Sequence, residues 1–300
     1  MKTTIKITIS IICLSMLFLS CQSLSEGAAI AGNFGLINSN TANAIAISSQ
    51  AIGKAVEDIT PEQEYYIGRA VAANILSTYK IVTNNPKLTA YLNKICNAIT
   101  INSPRPNIYN GYHVMILDSN EINAFATSGG HIFLTKGLIA AAKSEDALAG
   151  VIAHEIAHIQ LRHSIKSIKT SRITQALIVT GTSSVGAAAG LDVNELTDIF
   201  NESVGEIVTT MVNSGYSQTQ EFDADKTAIG LLAATGYNPS GLLDMLKELN
   251  KIKEGNSAGF GKTHPSPAKR ISSAEKIIKK YPVTDTSSYR QARFAENNKK

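Results

Sequence analysis

His154-Glu155-Ile156-Ala157-His158 lies inside an apolar, helix-forming run, and its reading decides the fold. Two histidines four apart on a helix are turned by about 40° and separated by about 6 Å of rise, so both rings reach one metal ion from the same face. Glu155 lies about 100° round from His154, out of line with that pincer but able to approach a water at the metal as a general base. The plain alternative is a helix with two incidental histidines, so the motif needs support from the rest of the chain.

Ser144 is a capping residue followed by Glu145 and Asp146, which predicts a helix from there through the pentapeptide to about Lys166. Ala147, Leu148, Val151, Ile152, Ile156 and Ile159 give it a buried stripe. His163 is nine residues from His154, about 180° round on a continuous helix, so it should not share the metal. Arg162-His163 reads as a structural or surface pair. Upstream, Tyr112 to Leu117 and His131 to Thr135 read as short strands, with His131 a surface histidine. Between them, Asn123-Ala124-Phe125-Ala126 and Gly129-Gly130 suit a strand edge and turn. Beside a peptidase metal, such an edge binds extended backbone by strand addition, which makes Asn123, Ala124 and Phe125 candidate substrate-binding residues. A purely structural hairpin is the other reading. The expected fold is mainly α with a small β-sheet, an α+β class.

Thr60-Pro61-Glu62 is a strong helix start, and a second helix over Leu88 to Ile101 places Cys96 on its apolar stripe as a small core residue. Ile173 to Leu191 carries too many polar residues and glycines for an easy membrane span. It predicts a packed helical hairpin over the site, the alternative being a membrane-associated or substrate-facing lid. Asp192 to Val212 reads as an amphipathic helix whose Glu195, Glu202 and Glu206 form a solvated face. Asp285 to Lys300 is polar and basic at its end and reads as a mobile tail.

Residues 1–20 hold Lys2 and Lys6, then the apolar segment Ile7 to Leu19, the layout of a secretory signal too short for an easy span. Ser20-Cys21 after it resembles the lipobox of bacterial lipoproteins, which implies lipid on Cys21. An ordinary signal peptide or a retained anchor are the alternatives. Gln22, by resemblance to lipoprotein sorting signals, points to the outer membrane. Cys13 would leave with the signal and Cys21 would carry lipid, so Cys96 is left without a disulfide partner. Lys2 and Lys6 also account for half of the formal net charge of +4, so no nucleic-acid footprint remains. The domain limits read as 1–20 signal peptide, 21–59 tether and weak helix, 60–281 catalytic domain and 282–300 tail.

A catalytic zinc needs a third protein ligand and an open position. The best candidate is Glu221 in Gln220-Glu221-Phe222-Asp223-Ala224-Asp225, at the start of an otherwise apolar helix. Asp225 is one turn further on the same face, placed to accept the second ring proton of a ligand histidine. For Glu221 alone, a helix N-terminal acid favoured by the dipole is the ordinary explanation.

His154 to His158 followed, 63 residues after its second histidine, by Glu-x-x-Ala-Asp resembles the zinc metallopeptidases that include the CAAX prenyl proteases, the HtpX membrane proteases, and periplasmic and mitochondrial quality-control proteases. Asn123 to Ala126 with Gly129-Gly130 and Gly137-Leu138 resembles that family's edge-strand segment, with Thr127-Ser128 in place of the usual Leu-Pro. Thr263-His264-Pro265 with Arg270-Ile271 resembles its C-terminal motif. The resemblance covers about Thr60 to Tyr281. It implies a zincin-like fold, one Zn2+ per chain on His154, His158 and Glu221, acid/base work by Glu155, and support from Asp225. It also implies that His264 approaches the site, either steadying the oxyanion or capping zinc at rest. From sequence alone, His264-Pro265 reads equally as a turn before a helix over Ser266 to Lys280.

Together these features predict a zinc endopeptidase of the cell envelope, on the periplasmic side and tethered by lipid to the outer membrane, acting on misfolded or misassembled proteins. The main alternative is an envelope chaperone or assembly factor that uses the zinc domain for binding. A structural zinc protein is a further one, disfavoured because no fourth Cys or His stands at a suitable spacing.

Overall fold

The computed structural model describes residues 59–166, 204–205, 207–253, 263–264, 267–282 and 287–298. They belong to one unit, Ile59–Ser167 with Val204–Lys300, and the other unit, Met1–Asp58 with Ile168–Ser203, lies outside the described residues. The leader, Cys21, the tether and the predicted hairpin over 173–191 therefore lie outside them too, as does most of the predicted helix over 192–212.

Local capping lays out the helices. Helix α1, Pro61–Thr78, starts at Thr60, whose hydroxyl accepts from Gln63 N while the Gln63 side chain accepts from Thr60 N. Helix α2, Pro86–Ile101, is capped by Asn85, which accepts from Leu88 N. Strands β1, His113–Leu117, β2, Ala124–Ala126, and β3, His131–Thr135, form a sheet in the order β1-β3-β2. β1 and β3 are parallel and β2 and β3 antiparallel, so β2 is an edge, as the sequence predicts.

Short helix α3, Lys136–Ala141, leads to α4, Glu145–Gln160, whose Ser144 cap accepts from Ala147 N. After a π-helical turn at Thr210–Ser214 come α5, Gln218–Thr235, α6, Gly241–Lys253, α7, Pro267–Ile278, and α8, Ser287–Asn297. Among the described residues no helix is long and apolar enough to cross a membrane.

The core forms where α4 lies against the sheet, α2, α5 and α6. Val114, Ile116, Ala124, Ala126, Ile132 and Leu134 from the sheet join Leu92, Ile95, Ile99, Leu148, Ile152, Ile156, Ile229 and Leu246 in one cluster. The alternate residues Phe125 and Phe133 are register partners on the opposite face, and Phe125 packs on Tyr79 with ring centroids 5.7 Å apart. Cys96 is a buried free thiol, pushed up to about 12 by burial, which fits a core residue rather than a nucleophile.

Two sequence expectations are corrected. The helix carrying the pentapeptide ends at Gln160 rather than Lys166, because Arg162 takes φ +56°, a left-handed conformation, before a further helical turn over 163–166. The expected mobile tail is ordered as α8 over Ser287–Asn297. Its Arg290 pairs with Asp146 at 2.8 Å and its Arg293 with Glu145 at 2.5 Å, which fixes the start of α4. Phe294 is the buried apolar anchor of α8, too slight a signal against its polar composition.

Gly150 sets how closely α4 approaches α6, since a Cβ there would stand 2.6 Å from the Leu242 main-chain nitrogen. Helix propensity alone would favour alanine by about 1 kcal/mol. Main chain cannot rotate aside, so the clash decides the sign. Gly150→Ala is expected to lose about 1–3 kcal/mol in denaturant unfolding, and an unchanged or higher midpoint would show that the two helices separate freely.

Candidate metal centre

Helix α4 is buried from Glu145 to Ile159, so its histidines face the interior rather than solvent. His154 Nε2 and His158 Nε2 lie 3.0 Å apart, as the four-residue spacing predicts. Glu221, in the first turn of α5, places Oε2 3.5 Å from His154 Nε2 and Oε1 3.5 Å from His158 Nε2. His264 Nδ1 stands 3.3 Å from His154 Nε2 and 3.1 Å from Glu221 Oε1. The four side chains are buried, with one ligand atom from each within 4.8 Å of every other. Zinc with bonds of about 2.0–2.1 Å holds tetrahedral ligand atoms about 3.3 Å apart. The observed separations and the donor set of imidazoles and one carboxylate both fit that ion. His264, which the resemblance implies should approach the site, is the fourth member of this group.

The surroundings fix each ring. Asp225 Oδ1 lies 3.0 Å from His154 Nδ1, on the side of the ring away from the other ligand atoms. An Nδ1–H donated there leaves the Nε2 lone pair directed at the centre. His158 Nδ1 lies 2.9 Å from His163 Nδ1, and Tyr216 stacks on the His158 ring with centroids 4.3 Å apart. Arg270 is fully buried and bridges the carboxylates, Nη1 to Glu221 Oε2 at 2.8 Å and Nη2 to Asp225 Oδ1 at 2.6 Å.

These contacts set the charges. Burial would raise the Glu221 carboxyl, but His264 and Arg270 outweigh it and hold it well below the usual range. Burial would raise Asp225 likewise, and Arg270 with His154 brings it to about 2. Glu155 goes the other way: burial raises it, and His264 and His154 only partly offset this. Its Oε1 has no hydrogen-bond partner among the described residues and lies 3.6 Å from His264 Nε2. That carboxylate is suited to exchanging a proton beside the metal group.

Of the residues singled out from sequence, His154, Glu155, His158, Glu221, Asp225 and His264 come together. Asn123 joins them at one remove, through Thr263 Oγ1, which donates to Asn123 Oδ1 at 2.9 Å. Ala124 and Phe125 lie on edge strand β2, with the Phe125 ring turned to Tyr79. The roles of His163, Tyr216 and Arg270 escaped the sequence reading. Of the structural and surface readings of His163, the structural one holds: it is buried against a candidate ligand, because the positive φ at Arg162 resets the helix phase. Nothing in spacing marks Tyr216, and the motif containing Arg270 does not say what the guanidinium touches.

The family model of peptidase family M48 matches residues 84–278. The metalloprotease LoiP of Escherichia coli K12 is 30% identical over 191 residues, 63% of this chain and 70% of that protein. The mitochondrial metalloendopeptidase OMA1 of Schizosaccharomyces pombe is 26% identical over 229 residues, 74% of this chain and 63% of its own. The beta-barrel assembly-enhancing protease of Escherichia coli K12 is 27% identical over 200 residues, 64% of this chain but 39% of its own. The chain thus spans less than two thirds of the last two relatives.

The centre predicts proton-linked metal uptake. In the metal-free protein, burial and Arg270 push His154 down, but hydrogen bonds to Asp225 and Glu221 prevail and raise it to about 9. At pH 7 the metal must displace that proton. Uptake should release about one proton, and affinity should rise about tenfold per pH unit between 7 and 9. Zinc titration calorimetry in buffers of different ionisation enthalpy reads this, and buffer-independent heats would contradict it.

Proposed function

The chain belongs to peptidase family M48, and we propose that it is a zinc-dependent endopeptidase of the cell envelope that cleaves misfolded or misassembled envelope proteins. The observation that carries the catalytic part is the buried Glu155 carboxylate, one oxygen of which makes no hydrogen bond among the described residues, beside a His154, His158 and Glu221 donor set. When bound, zinc supplies a water of lowered pKa and polarises the scissile carbonyl. Glu155 takes the proton of the attacking water and returns it to the leaving amine. Arg270 keeps Glu221 an anionic ligand, and Asp225 orients the His154 ring by facing its Nδ1.

Edge strand β2 is the proposed substrate cradle. Asn123 O and Thr127 N bond to β3, so alternation turns the Ala124 and Ala126 peptide groups away from it, towards an added strand. Asn123 Oδ1 accepts from Ala124 N, so that N–H reaches an added strand only when the Asn123 side chain gives way. His264 occupies the position a water needs, so we read this arrangement as a resting state. Displaced from it, the imidazole becomes the candidate to steady the oxyanion.

We further propose a signal peptide over 1–20, lipid on Cys21, a tether over 21–59 and a catalytic domain over 60–281; the signal-like segment before Ser20-Cys21 supports the anchor, and Gln22 supports the outer membrane. The relative named for enhancing beta-barrel assembly supports envelope proteins as substrates and a link to assembly machinery. The closed four-residue set favours a second reading, an envelope chaperone or assembly factor that uses the domain for binding.

Glu155→Gln separates the two. It should keep one zinc per chain and lower cleavage of casein or an unfolded outer-membrane protein by about 10²–10⁴-fold. Undiminished cleavage by that variant rejects the mechanism, and no cleavage by the unaltered or His264→Ala chain favours the binding reading. His264→Ala should retain zinc on three residues and cleave faster than the unaltered chain, whereas slower cleavage would assign His264 to the oxyanion and not to the cap.

A further inference from the structure

On a straight helix, residues 158 and 163 point about 140° apart and cannot touch. In this protein their Nδ1 atoms lie 2.9 Å apart, and the break that allows it is a single residue. Arg162 at φ +56° is the one non-glycine residue with positive φ among the described residues. Left-handed backbone at a side chain of this size persists only where its surroundings hold it. Arg162 Nη2 donates to Ile59 O at 2.7 Å, and its Nε lies 3.2 Å from Glu64 Oε2 on α1. Glu64 is buried and also faces Arg105 Nη2 at 3.5 Å. The turn is therefore braced from outside the catalytic helix, and what it delivers is an imidazole beside His158.

We propose that His163 is a positioning residue for the metal centre, an imidazole that accepts the His158 Nδ1–H and so fixes the ring whose Nε2 faces His154 and Glu221. This rests on the zinc-site reading above. A neutral imidazole that offers Nε2 to a metal carries its proton on Nδ1, and that proton needs a buried acceptor. For His154 the acceptor is Asp225. For His158 it is His163, which must then hold its own proton on Nε2. Tyr216, stacked on the face of the His158 ring at 4.3 Å between centroids, limits its tilt. The two ligand histidines are thus oriented by different chemistry: a charged carboxylate behind one and a neutral ring behind the other.

The test measures metal affinity and ring state on the full chain, independently of proteolysis. By competition with a chelator, His163→Leu should bind zinc about 10–100-fold more weakly, and its cobalt-substituted form should show an altered d–d band. His163→Asn, whose amide oxygen takes the Nδ1 position, should restore affinity to within about threefold and return the band. A folded leucine variant with unaltered affinity and spectrum would overturn the proposal. The unaltered zinc-loaded chain gives a check that needs no variant. Imidazole 15N–1H spectra should show His158 protonated at Nδ1 and His163 at Nε2, and His163 protonated at Nδ1 would equally overturn it. Repeating the affinity series in the Glu155→Gln chain separates the two hypotheses, because lost proteolysis there leaves the effect of position 163 intact.

Discussion

Two carboxylates one turn apart on α5, Glu221 and Asp225, share the guanidinium of Arg270, and the site depends on that sharing. All three side chains are buried, where an unpaired carboxylate would take up a proton instead of remaining an anion. Arg270 meets Glu221 through Nη1 and Asp225 through Nε and Nη2. That keeps Glu221 available as an anionic ligand and Asp225 as the acceptor for His154. The same contact ties α7 to α5, and α5 lies along α4. Removing the guanidinium would strand two buried charges, typically a loss of about 3–5 kcal/mol, so the charge arrangement and the packing are one device.

The N-terminal end of α4 is held by a second charged network. Glu145 accepts from the Tyr91 and Tyr237 hydroxyls and from Arg293, and Asp146 accepts from Asn238 N and pairs with Arg290. Acids in a first helical turn are favoured by the dipole alone. Here they also receive side chains from α2, α6's preceding loop and α8. With Arg270 acting through Asp225 near its middle and Arg162 braced just beyond its end, α4 has few ways to shift relative to its partners. A site that must hold ligand atoms within a few tenths of an ångström needs that rigidity.

The sequence revealed the parts of this design that follow local rules. Histidines at a four-residue spacing, capping at Thr60 and Ser144, the strand segments and the Glu221-to-Asp225 turn all depend on helix or strand periodicity, which a linear reading can count. What it missed depends on contacts made across the chain. The position of His163 depends on a helix that stops, and the stop comes from an arginine held by Glu64, nearly a hundred residues earlier. Helix α8 looks like a tail in sequence because two arginines meeting buried acids, rather than an apolar stripe, hold it. Arg270 was visible in a motif, but a basic residue in a polar helix start looks the same whether it meets water or two carboxylates.

The proposed resting state has a physical consequence for the order of events. His154 is braced from behind by Asp225, His158 by His163 and Glu221 by Arg270. His264 follows Thr263, which donates to Asn123 Oδ1, and that oxygen also accepts from Ala124 N on β2, the proposed substrate edge. A polypeptide adding to β2 competes for that neighbourhood, and any shift of Thr263 moves His264 with it. Vacating the water position and docking the substrate strand are then linked steps, because adjacent residues guard both. The link runs in both directions, since whatever stabilises His264 among the ligands must disfavour strand addition by the same free energy.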